Sequence, residues 1–435
     1  MTRQAYLVSI LTLLLTVGAA RCNLSAQPGD SAPAPGALPS PTGQFRVGRV
    51  TLHLTDRSRQ ERVPPGGGVR ELMVDVWYPA ERLDGPAAAY VASAAFSTPR
   101  STEAMRSYLG GLFEFVKAGR VGTHAVQGAA FARAAGPSPV LLFSHGGGEA
   151  RETYAVQLLE LASHGYAVAA ITHTFDSVLA VFPDGRSAPM VPDRWPAPVT
   201  SAIPRLPPSE EASADRLAWW ARDVQFVLDE LAHLNGLPFS APFAGHLDLA
   251  RAGAFGHSAG GQAAAHACQV EPRLRACVNQ DGLSAMAPYY LDERGWGMNQ
   301  AFMLIVRAAR PDPPTDHELA QMNLTRAEGE ALIAQLTQRQ GTALRRTGGG
   351  SFRVTLNAKA TTHGDFGDLP LLRAHNVDEA AVRRRVVQIA ARFTRAFFDQ
   401  RLRGIDTPWP DAHETAGLVD RVEEFPAVTP PQPRQ

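Results

Sequence analysis

The feature that most constrains this chain is the pentapeptide Gly256-His257-Ser258-Ala259-Gly260, which follows the apolar run Ala252 to Phe255 and opens a small-residue stretch from Gly260 to Cys268. A serine between two glycines at that spacing fits the apex of a tight strand-to-helix turn. Such a turn strains the serine backbone and crowds the positions two residues away, so these must lack side chains. It also lifts the hydroxyl clear of the sheet, at a helix N-terminus that favours developing negative charge. Gly261 adds room for close helix packing. The pentapeptide alone occurs by chance in many chains. Its strand-turn-helix setting makes Ser258 a candidate nucleophile.

A serine hydroxyl is a weak nucleophile at neutral pH and needs a base, which in turn needs an orienting acid. With this turn the chain order is serine, acid, histidine. His266 lies on the helix of the nucleophile, which leaves His317, His363, His375 and His413. Of these, His363 stands in a small, polar loop, Ala360 to Asp368, just after the strand-like Phe352 to Leu356. His317 in a charged helix start and His413 near the C-terminus fit solvated roles better. The acid has two positions open to it. Asp281 ends the apolar run that contains Ala276 to Val278, and Asp312 or Asp316 follows the next one. Asp281 leads because sites in parallel sheets form at the C-terminal ends of strands. Oxyanion stabilisation needs backbone N–H groups, and Ser144-His145-Gly146-Gly147-Gly148 after Val140 to Phe143 is an HGGG-type turn. The N–H groups of Gly147 and Ala259 are the expected pair.

Around these motifs, apolar runs alternate with helical periodicity. Val140–Phe143, Tyr166–Ile171, Arg251–Phe255, Ala276–Val278, Ala301–Val306 and Phe352–Leu356 read as strands. Tyr154–Ser163, Asp215–Leu234, Gly260–Cys268 and Asp378–Arg401 read as helices. That alternation predicts an α/β fold with a mostly parallel central sheet and helices on both faces. Phe45–Thr55 and Leu72–Tyr78 read as a hairpin-like strand pair, and Thr102–Lys117 as a helix with an apolar stripe. Two stretches, 175–214 and 312–350, interrupt the rhythm and read as lid-like insertions.

The predicted organisation is a signal peptide over 1–20, a Pro/Ala-rich linker over 21–44, a catalytic domain over 45–403 and a loosely packed Pro-rich tail over 404–435. The leader rests on Arg3, the apolar run from Ala5 to Ala20 and the small residues Gly18, Ala19 and Ala20, with cleavage after Ala20 or Ala26. An exported protein, periplasmic or secreted, is the expectation, ahead of an uncleaved anchor or a lipoprotein through Cys22, where the bulky Arg21 is unfavourable. The 42 basic and 42 acidic residues balance, and no basic run points to nucleic acid. Histidine and cysteine spacing gives no metal site, no calcium loop appears, and the chemistry needs no cofactor. Cys268 and Cys277 pair as a disulfide or sit as two buried thiols, with composition favouring neither.

The ordered set Val76-Trp77-Tyr78-Pro79, Phe143-Ser144-His145-Gly146 with Tyr154, Leu161 to Tyr166, Gly256 to Gly261 and His363 to Asp368 resembles the plasma and type II platelet-activating factor acetylhydrolases, a family of α/β-hydrolases, and their bacterial relatives. The resemblance spans residues 45 to about 400. It implies an α/β-hydrolase fold and a serine carboxylic-ester hydrolase working through an acyl-enzyme on short or oxidised acyl phospholipid esters. It carries the acid onto Asp281, 23 residues after the serine, the base onto His363 and the second oxyanion N–H onto Gly147. Ala259 and Gly147 stand where animal members carry an aromatic residue and leucine, which opens the site. In those members a helix in the region of Thr102–Lys117 meets lipid surfaces, so transient contact with a lipid surface is implied, against a helix packed on the body of the domain. The rival readings are a general carboxylesterase or polyester hydrolase using the regions of Trp195, Trp219 and Trp296, and an inactive hydrolase-like binding protein. The intact set of site residues argues against the last.

Overall fold

Strands buried on both faces read as continuous apolar runs, and two of them set the centre of this molecule. Every residue of Ser138–Ser144 and of Ala167–Thr172 is buried. The computed structural model describes residues 37–63, 68–81, 85–191, 208–238, 243–282, 297–308 and 324–429. The expected leader, most of the expected linker, Asp312, Asp316, His317, Trp195 and Trp296 lie outside them.

The strands are β1 (Arg46–Gln60), β2 (Val69–Ala80), β3 (Ala87–Ala89), β4 (Gly122–Gln127), β5 (Ser138–Ser144), β6 (Ala167–Thr172), β7 (Leu179–Val181), β8 (Ser187–Pro189), β9 (Leu247–His257), β10 (Leu274–Gln280), β11 (Ala301–Arg307), β12 (Ser351–Leu356) and β13 (Val419–Phe425). Eleven form one sheet in the order β13-β12-β11-β10-β9-β5-β6-β2-β1-β4-β3, and β7 with β8 makes a separate hairpin. From β6 through β5, β9, β10 and β11 to β12 every pairing is parallel. The hairpin of β1 and β2 joins that block antiparallel, through β2 and β6.

Helices cover both faces. One side carries α1 (Pro99–Leu109), α2 (Phe113–Lys117), α3 (Ala155–Ser163) and α7 (Val377–Phe398). The other carries α4 (Pro208–Asn235) and α5 (Ala259–Val270), and α6 (Arg326–Arg345) joins that side through Ala343 and Leu344. Leu158, Leu161, Phe393 and Phe397 pack with Phe143 and Phe255 on the first face. Val224, Val227, Leu228 and Leu231 pack with Leu142 and Ala254 on the second. This is the α/β-hydrolase architecture that the resemblance implies.

The disulfide between Cys268 and Cys277 is formed, with its Cα atoms 6.3 Å apart, and ties the end of α5 to β10. The stripe expected over Thr102–Lys117 is two helices joined by a short 3₁₀ turn, Gly110–Leu112. Its apolar residues Met105, Leu109, Phe113 and Val116 are buried in the domain core, so this face packs on the body of the protein. Within the two expected insertions the described residues form the β7–β8 hairpin, the first turns of α4, and α6.

Both expected ends need correction. The domain starts before residue 45: Leu38 is buried, Ala37 bridges to Gly122, and the Thr42 N–H and hydroxyl donate to the Glu160 carboxylate at 2.8 and 2.6 Å. The Pro-rich tail is not loose either. β13 adds an antiparallel edge to β12, Leu418 is buried, and Trp409 packs against Phe352 and Phe393. Its charged residues, Asp420, Arg421, Glu423 and Glu424, suit a solvent-facing edge strand and hide its apolar contribution.

Deleting residues 404–435 therefore strips β12 of a neighbour and uncovers Phe352. The expected loss is roughly 3 kcal/mol or more of stability together with reduced solubility. Thermal unfolding checks this, and a truncated protein with the full-length midpoint would contradict it.

Candidate active site

The pentapeptide forms the expected turn. β9 ends at His257, α5 begins at Ala259, and Ser258 between them has φ +55° and ψ −122°. A non-glycine residue at positive φ costs about 1–3 kcal/mol and persists only where its surroundings enforce it. Here they do: the Ser258 N–H donates to the Gln280 carbonyl at 2.9 Å, and its own carbonyl accepts from Gln262 N–H at 3.1 Å. The flanking glycines are required sterically. A β-carbon on Gly260 would lie 2.1 Å from the Ser144 carbonyl oxygen, and one on Gly256 would lie 2.4 Å from the Gly260 backbone.

His363 opens a short 3₁₀ turn, His363–Phe366, shortly after β12, and Asp281 follows β10 directly. The His363 Nδ1–H donates to Asp281 Oδ2 at 2.7 Å, and Nε2 faces Ser258 Oγ at 2.9 Å. Asp281 also sits at positive φ, +50°, held by its N–H bond to the Ile305 carbonyl at 2.7 Å. Burial pushes its carboxyl pKa up, but His363 and the Arg307 guanidinium, 2.8 Å away, outweigh this and hold it below the ordinary carboxylate range. The carboxylate therefore stays charged, fixing the imidazole tautomer that leaves Nε2 free to accept a proton.

The third expected element also converges here. A β-carbon on Gly147 would come within 3.8 Å of the Ala259 Cβ. In the same turn, Gly146 N–H donates to the Tyr154 hydroxyl at 3.1 Å and Gly148 N–H to the Asp176 carbonyl at 2.8 Å. Ala259, as the first residue of α5, has no intrahelical acceptor for its N–H. The segment from Phe175 to Val191, which includes the β7–β8 hairpin, clamps this turn. Val178 N–H and the Ser177 hydroxyl donate to the Glu149 carbonyl at 3.2 and 2.8 Å, and the exposed Met190 lies over Gly148.

The structure thus brings Ser258, Asp281, His363, Gly147 and Ala259 together, while His375 and His413 are exposed away from them. Sequence reasoning missed several supports. The buried His257 packs against His363, with ring centroids 4.6 Å apart, and bonds the Tyr154 hydroxyl through Nδ1 at 2.7 Å. Tyr154 in turn bonds Glu149. Gln157 and Gln280 exchange side-chain bonds, and Gln157 Nε2 donates to the Phe366 carbonyl at 2.6 Å, bracing the turn of His363. Asp368, at the end of that loop, accepts from Ala155 and Val156 N–H at 2.8 and 3.2 Å and from Tyr90 OH at 3.2 Å. It thereby anchors the loop to the start of α3. Burial nevertheless pushes its pKa up to about 7.

Two tests follow from this packing. Gly260→Ala is expected to lower esterase turnover at least 100-fold, because backbone must move away from the new β-carbon. Wild-type turnover in that variant would mean the turn is not tight. For Asp368, the folded chain keeps a proton between the ordinary carboxylate range and about pH 7 that the unfolded chain releases. Stability from this group therefore falls as pH rises through that window. The melting curve of Asp368→Asn against pH is expected to lack that fall, and parallel wild-type and variant profiles would refute the assignment.

Residues 35–194 match the family model described as "Platelet-activating factor acetylhydrolase, isoform II". That match reaches from β1 through β8, includes the glycine turn after β5, and ends before Ser258. No curated protein matches the chain. Among solved structures, the chain is similar to a ferulic acid esterase from Streptomyces cinnamoneus, with 26% identity, a TM-score of 0.65, and coverage of 90% of this chain and 100% of that one. The chain is accordingly a carboxylic ester hydrolase of the α/β-hydrolase fold, similar to the platelet-activating factor acetylhydrolase family.

Proposed function

We propose that Ser258 forms an acyl-enzyme, with His363 as its base and Asp281 holding the imidazole. The observation that carries this reading is the unbroken line from Ser258 Oγ to His363 Nε2 at 2.9 Å and from His363 Nδ1 to Asp281 Oδ2 at 2.7 Å. His363 takes the serine proton as Oγ attacks the ester carbonyl. The N–H groups of Gly147 and Ala259 receive the oxyanion, a donor pair in which each member is typically worth about 10²–10³ in rate. The imidazolium then protonates the leaving alcohol, and a water activated by His363 releases the acid.

For the substrate, soluble carboxylic esters are the leading reading. Three observations support it: the small side chains at Gly147 and Ala259, the buried stripe of α1 and α2, and the whole-length likeness to a protein named a ferulic acid esterase. Leu217, Trp219, Trp220 and Ala263 form a buried apolar cluster against Ala259. The family match over residues 35–194 supports a second reading, a phospholipid ester with a short or oxidised acyl chain, reached by transient contact with a lipid surface. Export to an oxidising compartment fits both the leader-like N-terminus and the Cys268–Cys277 disulfide.

The test is hydrolysis of p-nitrophenyl esters from acetyl to palmitoyl, of methyl ferulate and of a short-acyl phospholipid, by wild type and variants. Ser258→Ala and Asp281→Asn are expected to lose about 10⁴-fold or more in kcat, while Asp312→Asn keeps wild-type rates. Turnover that survives Ser258→Ala would overturn the mechanism. A rate on the phospholipid far above the soluble esters would replace the leading substrate reading with the second.

A further inference from the structure

Behind the glycine turn lies a second serine–histidine–aspartate set with no access to substrate. The Ser144 hydroxyl is 3.0 Å from His173 Nε2, and His173 Nδ1 is 2.9 Å from Asp223 Oδ2, all three residues being fully buried. Asp223 is held from the other side by Arg70, at 3.1 and 2.6 Å, and by Arg59 at 2.8 Å. Arg70 also reaches Glu61 at 2.6 Å and the Thr174 carbonyl at 2.9 Å. The Trp220 ring lies flat on His173, with centroids 4.0 Å apart. Buried ionic networks of this kind hold geometry when every member is satisfied.

What the network holds is His145. The backbone N–H of His173 donates to His145 Nε2 at 3.2 Å, so that nitrogen is an acceptor. The proton of His145 is therefore on Nδ1, which lies 2.7 Å from the Gly146 carbonyl oxygen and donates to it. Burial, with the neighbouring His173, pushes the pKa of His145 down to about 3, so this neutral tautomer persists across the working pH range. The Gly146 carbonyl belongs to the peptide unit whose N–H is that of Gly147. In a trans peptide the C=O and N–H point in opposite directions. Fixing one fixes the other.

We infer that His145, seated by His173 and Asp223, is a positioning residue that prevents the Gly146–Gly147 peptide from flipping and so keeps the Gly147 N–H aimed at the oxyanion. Two adjacent glycines flip readily without such a hold, because neither has a side chain to restrict its backbone. This inference rests on the acyl-enzyme reading above and adds the means by which one of its two donors is kept in place.

The test compares His145→Leu, which keeps the volume and loses the donor, with His145→Asn, whose amide N–H can still reach the Gly146 carbonyl. His145→Leu is expected to lower kcat on p-nitrophenyl acetate about 10- to 100-fold with KM within about threefold, and to weaken a trifluoromethyl ketone inhibitor by a similar factor. His145→Asn is expected to regain most of both losses. A merely structural role would lower the melting midpoint and the titrated fraction of active enzyme, but leave the inhibitor constant of the active fraction unchanged. Should the leucine variant fail to fold, His145→Gln makes the same comparison, because its amide lies one bond too far out. Equal inhibitor constants for the wild type, the asparagine variant and the leucine or glutamine variant overturn the inference while leaving the acyl-enzyme standing. Absence of Ser258-dependent turnover in the wild type overturns both.

Discussion

The site depends on the close approach of two backbones at the C-terminal edge of the sheet. β5 and β9 are parallel neighbours, and the chain leaving β5 runs directly under the first turn of α5. The Ser144 and His145 carbonyl oxygens lie 2.1 and 2.4 Å from where a β-carbon on Gly260 would sit. No side chain fits between them. That contact brings the N–H donors of the glycine turn beside the serine, and it explains why glycines on one element are needed to seat another element more than 100 residues away. The strain at Ser258 and the glycine spacing are two expressions of one packing constraint.

The same edge recruits the rest of the machinery. Ser258, Asp281 and the glycine turn follow directly on three adjacent strands, β9, β10 and β5, and His363 comes from the loop beyond β12. In a parallel sheet these ends all face one side, so residues distant in sequence meet without any element having to bend. The Cys268–Cys277 disulfide ties the helix that follows Ser258 to the strand that ends beside Asp281. Ser258 and Asp281 are thus carried on one cross-linked unit. His363 arrives from a separate loop, which explains the density of polar bracing around it: Gln157 on the Phe366 carbonyl, Asp368 on the start of α3, and Arg383 on Asp365 at 2.7 Å.

The turn at Ser258 was legible in the sequence because its requirement is local: five residues and the apolar run before them specify it. The parallel centre was legible because strands buried on both faces carry unbroken apolar runs. Asp281 was only half legible, since its place at a strand end gave it a modest lead over Asp312 and Asp316 and the family resemblance strengthened that lead. β13 was not legible. Val-Asp-Arg-Val-Glu-Glu-Phe spends its solvent face on charge, as an exposed edge strand must, and its proline-rich surroundings read as tail. α1 and α2 illustrate the opposite limit. An apolar helical stripe shows that something covers it, not whether that is a lipid surface or the protein's own core.

The network behind the glycine turn was invisible to sequence reasoning for a deeper reason. Asp223 is 50 residues from His173, and Arg70 is 153 residues from Asp223, on an element where a lone charge reads as solvent-facing. Nothing in the local pattern distinguishes a buried ionic residue from an exposed one; only the pairing does. Leaving any member of this set buried without its partner would cost several kcal/mol, far more than a surface ion pair returns. Arg70, Asp223 and His173 therefore form a cooperative unit, one that fits together in a single arrangement. A catalytic serine needs a similar uniqueness in the peptide planes around it, which a pair of glycines cannot supply for themselves. The buried charges lend the glycine turn the rigidity that its own composition denies it.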